Sequence, residues 1–215
     1  MHSLPTSPSL YHCIKRFQCV GHQINQLTHN IESLLTNMMD KEECTQKHLR
    51  RLPWSYSDRE NSSNWFYQDT YLSLPIVYRS HSNTTFFLNI QISLYGVGLN
   101  SPWINNTDPL VHVFFSDMTL SCENTFDIAL IHDPRESITS INQRFFYWKK
   151  SHPPYQDWFF SVPLNQLQNN RSTLIKLIQP CLKLLKTPIE NNQVPLVNHE
   201  INRFFKYSVI TKSDT

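Results

Sequence analysis

His132, Asp133, Arg135 and Glu136 are the residues best placed in this chain to do acid–base chemistry. An imidazole exchanges protons near neutral pH, a neighbouring carboxylate can orient it, and a guanidinium can receive an anion. Residues 125–132 read as a strand, so the cluster falls where a strand gives way to a turn, a common place for reactive side chains. A plainer role competes: Asp133-Pro134 favours a turn, and the charges that follow solvate a loop. His132, Asp133 and Glu136 are the catalytic candidates of an alternative reading, an enzyme with a strand-end site.

A second alternative rests on Arg144, Phe145, Phe146, Tyr147, Trp148, Lys149 and Lys150, where rings alternate along a strand flanked by cations. Bases stack on such rings, which describes a binder of single-stranded nucleic acid. The glycines that accompany RNA-binding sheet motifs are missing, and rings of this kind also fill cores and protein interfaces.

Other chemistries lack their parts. Cys19 with His22, and Cys44 with His48, share a helix face, but two ligands do not make a metal site. His29 lies about 15 Å from Cys19 along a helix, too far to join them. Three glycines, Gly21, Gly96 and Gly98, nearly exclude a phosphate-cradling loop, and there is no nucleophile elbow or zinc-peptidase motif. The best strand offers Asn89 and Gln91 where a metal-dependent nuclease would need carboxylates. No metal and no cofactor are expected.

The elements that would carry any site follow from periodicity. Leu10, Ile14, Phe17, Ile24, Ile31, Leu35 and Met38 recur at helical intervals, which predicts a long amphipathic helix over about residues 9–49, continuous or broken at Gly21. At about 60 Å it exceeds what one small sheet needs, so part of it is expected to project toward a partner. Gly21 and Thr28 interrupt its heptad seam, which favours packing on its own sheet over a sustained coiled coil. Residues 53–64 turn polar and read as a loop. Residues 71–78 contain Pro75, which predicts a short or edge strand because proline cannot donate to a central ladder.

Phe86, Leu88, Ile90, Ile92 and Leu94 alternate with Phe87, Asn89, Gln91, Ser93 and Tyr95, the pattern of a strand with one face buried and its mostly polar row outward. Further strands are expected at 110–115, 125–132, 144–149 and 158–162, joined as a meander, with room for a helical turn in 133–142. Leu174, Ile178, Leu182 and Leu185 mark a second helix, bent or shortened by Pro180. Ile201, Phe204 and Phe205 repeat at helical spacing near the end. The predicted fold is α+β: a mainly antiparallel sheet of about five or six strands flanked by a long N-terminal and a C-terminal helix. Residues 1–52 form a helical arm and 53–215 the body.

Composition supports a packed chain. Of 215 residues, 40% are apolar and only 17% charged, outside the range of a solvated disordered chain. Five cysteines without a recurring spacing suit reduced thiols, hence cytoplasm or nucleus. No signal-peptide pattern and no run of about eighteen apolar residues occurs, so no membrane insertion is expected. Four Asn-x-Ser/Thr triplets are discounted without a secretory signal. A net charge of +2 names no partner by itself.

The favoured function is a non-catalytic protein–protein interaction protein, a subunit, adaptor or inhibitor, that presents its N-terminal helix and one sheet face. Phe17, Ile24, Ile31, Trp148, Tyr155 and Trp158 are the expected binding residues, since aromatic and large apolar side chains anchor interfaces. The partner is another protein, or a second copy through the N-terminal helix.

Overall fold

The computed structural model describes residues 7–41, 48–60, 67–81, 83–94, 108–119, 138–148, 156–187, 189 and 193–207. Helix α1 (Ser7–Lys41) is followed by β1 (Leu49–Arg51), β2 (Ser55–Glu60), β3 (Tyr67–Tyr78), β4 (Thr85–Ser93), β5 (Leu110–Ser116), β6 (Ile138–Ile141), β7 (Phe145–Trp148) and β8 (Asp157–Pro163). Helix α2 then runs through Asn170–Thr173, a π-helical stretch Leu174–Ile178, and Gln179–Lys186; a short α3 (Asn198–Ile201) follows. The fold is α+β as predicted, with an antiparallel sheet of eight strands among the described residues in place of five or six.

Strand order is β1-β3-β4-β5-β8-β7-β6, with β2 also on β3, and every pairing is antiparallel. This is not a simple meander. The β6–β7 hairpin forms one edge, and β8 returns to fill the place between β5 and β7. Residues 138–141, inside the stretch given room for a helical turn, are a strand of that hairpin. Three residues, 142–144, join the paired Ile141 and Phe145; Asn142 and Gln143 take φ 54° and 56°, and Arg144 N–H donates to Ile141 O at 3.0 Å to close the turn.

Two other expectations fail for identifiable reasons. Polar residues 55–60, read as loop, form β2, because an edge strand needs hydrogen-bonding partners and not an apolar row. Strand β3 spans twelve residues inside the sheet despite Pro75. Leu52 N–H donates to Pro75 O at 2.9 Å, so the missing proline N–H faces the outer side. There the edge ladder breaks anyway, between β1 and β2.

Helix α1 is continuous through Gly21, whose Cβ position is open space. A glycine costs only about 1 kcal/mol in a helix interior, which does not outweigh thirty-five residues of continuity. Its Ile24, Leu27, Ile31, Leu35 and Met39 enter one apolar cluster with Leu72, Leu74, Leu88, Ile90, Val111, Val113, Phe160 and, from α2, Leu177, Leu182 and Leu185. Both helices therefore cover the same sheet face. Helix α2 passes through Pro180, with the π-helical stretch directly before it taking up the ring and the missing N–H.

The sheet edge clamps the C-terminal end of α1. Arg51 donates from Nε and Nη2 to the two Asp40 carboxylate oxygens at 2.9 and 2.7 Å, and Trp54 Nε1 donates to Thr36 Oγ1 at 3.2 Å. The Arg51 hydrogen bonds hold the Asp40 carboxyl below its usual range. Because Leu35 is fully buried, Leu35→Ala should cost about 2–5 kcal/mol in urea denaturation. Val20→Ala, on the exposed part of the helix, should change stability by less than about 0.5 kcal/mol.

Candidate functional site

Three sequence candidates for catalysis, His132, Asp133 and Glu136, lie outside the described residues, as do Arg135 and Tyr155. Of the expected binding residues, Ile24 and Ile31 are buried under the chain's own sheet, at 8% and 0% exposure. Trp158 is stacked between Phe115 and Phe160, and Trp148 is stacked on Phe114. These four correct the sequence reading: their apolar surface is spent inside the fold. Phe145 and Tyr147 are buried too, and the half-buried Phe146 packs on Phe159 and Tyr207, so most ring surface of β7 is taken up inside the fold. Lys149 and Lys150 fall outside the described residues.

The outward polar row expected on β4 is also corrected. Asn89, Gln91 and Ser93 are fully buried, and Asp69, Ser73, His112, Ser116, Asp157 and Ser161 on the same face of neighbouring strands are buried with them. Burial is tolerated because the groups bond across strands. Gln91 Nε2 donates to Asp69 Oδ1 at 3.1 Å, Asn89 Nδ2 donates to Met118 O at 2.9 Å, and Ser73 Oγ donates to Asn89 Oδ1. With the central strands buried on both faces, the expected sheet-face contact with a partner has no open surface on β4, β5 or β8.

Within this layer His112 Nδ1 lies 2.7 Å from Ser161 Oγ, which in turn bonds the Tyr207 hydroxyl. A serine against an imidazole is the geometry of an activated nucleophile. Here Ser161 is fully buried, His112 nearly so, and burial lowers the His112 pKa from 6.5 to about 3. The imidazole is neutral and sealed from solvent, and Ser161 between the two rings ties Tyr207 to the sheet. The tail is also held by Tyr207 N–H donating to Gln143 O at 2.9 Å and by Arg144 donating to Phe204 O. Tyr207→Phe should leave Ser161 one partner short and cost about 1–3 kcal/mol in urea denaturation.

A hollow of about 330 Å³, lined by Asn142, Gln143, Arg144, Asn202 and Lys206, sits at the β6–β7 turn and includes none of the buried layer. Among the described residues no three His, Cys, Asp or Glu side chains gather as a metal site, and no helix is long and apolar enough to cross a membrane.

Isolated apolar side chains are exposed at Tyr56, Met118 and Val197, and a row of them is exposed on the N-terminal half of α1. Every residue from 11 to 23 is exposed, including Tyr11 at 60%, Ile14 at 41%, Phe17 at 57% and Val20 at 40%. At about 100° per residue, Ile14, Phe17 and Val20 fall on the same side of the helix as Ile24, Ile31 and Leu35. One apolar stripe thus runs the length of α1: its second half lies on the sheet, and its first half overhangs. Lys15 points to the opposite side and Arg16 borders the stripe. Phe17 is the binding residue of the sequence reading that stands on this surface.

Fold and surface together define an α+β protein with one helical layer on an antiparallel sheet and a first helix that outruns the sheet. The chain matches no protein-family model, no curated protein and no solved structure.

Proposed function

We propose that this chain is a non-catalytic interaction protein, a subunit, adaptor or inhibitor, that docks on another protein through the overhanging half of α1. The observation that carries the reading is the exposed continuation of the core stripe, Ile14, Phe17 and Val20, on a helix whose later turns use the same side for packing. Apolar anchors three residues apart on one helix side are how an amphipathic helix enters a groove. An aligned apolar surface of this kind marks contact sites in soluble proteins. Among the described residues the thiols are free, Cys13 and Cys19 exposed and Cys181 buried, which supports a reducing compartment, cytoplasm or nucleus.

The test is a photo-crosslinking amino acid placed at Phe17 and, as control, at Lys15. In native extract the Phe17 position should yield a discrete adduct that disappears when Ile14 is changed to serine, and Lys15 should yield much less. Equal adducts from both positions, or none from Phe17, would contradict the proposal.

A further inference from the structure

The hollow at the β6–β7 turn is built by two segments far apart in sequence, and it gathers positive charge. The turn contributes Asn142, Gln143 and Arg144, and the stretch after α3 contributes Asn202 and Lys206. Hydrogen bonds fix the two segments: Phe205 N–H donates to Ser161 O at 2.7 Å, Tyr207 N–H donates to Gln143 O at 2.9 Å, and Arg144 Nη1 donates to Phe204 O. Lys206, between two anchored residues, is therefore held beside the turn although it is exposed. Arg144 is half-buried, and among the described residues its Nε and Nη2 have no hydrogen-bond partner. Residues 138–148 and 193–207 contain a single carboxylate, Glu200, and Lys183 occupies it at 2.6 Å. Two cations thus share one hollow with no carboxylate among its lining residues. Like charges facing one space repel, and an anion between them removes that cost.

From this arrangement we infer that the hollow binds a small polyol carrying a phosphate monoester, a sugar phosphate in chemical class. A phosphate monoester carries close to two negative charges near neutral pH, which matches one guanidinium and one ammonium. Arg and Lys are also the side chains that proteins turn to phosphate, the guanidinium as a planar fork and the ammonium as a point charge. Asn142, Gln143 and Asn202 bring carboxamides, each able to donate and to accept, as neighbouring hydroxyl groups require. No ring or aliphatic residue lines the hollow, so an apolar ligand or a nucleobase has nothing to pack on. Its volume of about 330 Å³ stands at the lower end of small-molecule sites, with room for more than a bare phosphate. Gln143 takes a left-handed backbone, φ 56°, that glutamine seldom enters, and such strain gathers at binding sites. The hollow shares no residue with the overhang of α1, so the ligand site stands or falls apart from the docking role.

The experiment is calorimetric titration of the full chain with ribose 5-phosphate, inorganic phosphate and ribose. Ribose 5-phosphate should bind at one site, inorganic phosphate more weakly, and ribose without measurable heat. Lys206→Gln should weaken ribose 5-phosphate by about tenfold or more, as loss of a charge-assisted contact does, and leave the melting temperature of the unliganded chain unchanged. Lys15→Gln removes the same charge from α1 and should leave binding as it was. Asn202→Ala should weaken ribose 5-phosphate by a few-fold without weakening inorganic phosphate, since its carboxamide is assigned to the hydroxyl groups. Absence of ribose 5-phosphate binding overturns the inference. Inorganic phosphate held as tightly as ribose 5-phosphate reduces the hollow to a site for an adventitious ion only, and equal effects of Lys206→Gln and Lys15→Gln reduce it to general charge. A single-stranded oligonucleotide without a terminal phosphate that binds more tightly, and is lost in Lys206→Gln, assigns the hollow to a nucleic-acid backbone. Each of these three results refutes the sugar phosphate.

Discussion

Between pH 6.5 and about 3 the protein should lose stability through one side chain, His112, at up to about 1.4 kcal/mol for each pH unit. In the folded state burial depresses the His112 pKa from its ordinary 6.5 to about 3, so the native protein holds the imidazole neutral over that window. The unfolded chain takes up the proton as soon as pH falls below 6.5. Stability from this group is therefore complete above that pH and is lost progressively as pH drops toward 3. The cause is burial: Gln91 and Ser161 stand opposite it on β4 and β8, the Phe159 ring lies against it, and Nε2 has no hydrogen-bond partner among the described residues. Urea denaturation across this range should show a steep fall for the wild type. His112→Gln should flatten the curve by about one proton's worth of slope. Parallel curves for the two proteins would show that His112 is charged or solvated in the fold.

The other large effect divides one helix into two halves with opposite behaviour. Ile31→Glu places a charge at a fully buried position and should cost about 4 kcal/mol or more, enough to unfold most of a marginal protein. Phe17→Glu, on the same stripe but 57% exposed, should leave the melting temperature within about a degree or two and remove partner capture completely. Thermal denaturation and crosslinking on the same two variants check both statements. If Phe17→Glu destabilises as Ile31→Glu does, the overhanging half is part of the core. If neither affects capture, the helix is not the docking element.

That division was not legible in the sequence, because Phe17, Ile24 and Ile31 belong to one unbroken helical pattern. Periodicity reports which side of a helix is apolar; the span of the sheet beneath decides where the cover ends, and span is a tertiary property. The alternation over 86–94 did identify the inward row, Leu88, Ile90 and Ile92, and with it the α+β class. It misassigned Asn89, Gln91 and Ser93, since a polar row reads the same whether it meets water or equally polar rows of its neighbours. Only the registers of β3, β5 and β8 show that Ser73, His112 and Ser161 share its face. Strand β2 was missed because an edge strand carries no apolar signature. Pro75 misled because the rule against central prolines concerns which side the absent N–H faces, and here it faces a gap in the ladder. The strand-end cluster at His132 rests on residue types and on the strand pattern of 125–132, and lies outside the described residues.

The account depends on the first half of α1 standing clear of the rest of its own chain, which hydrogen exchange measures directly. In the isolated protein, backbone amides of residues 11–22 should exchange as those of a helix held only by its own turns, orders of magnitude faster than those from Ile24 to Met39, which are locked by the core. Equal protection along the whole helix would contradict the account, because the stripe of Ile14, Phe17 and Val20 would then be covered already.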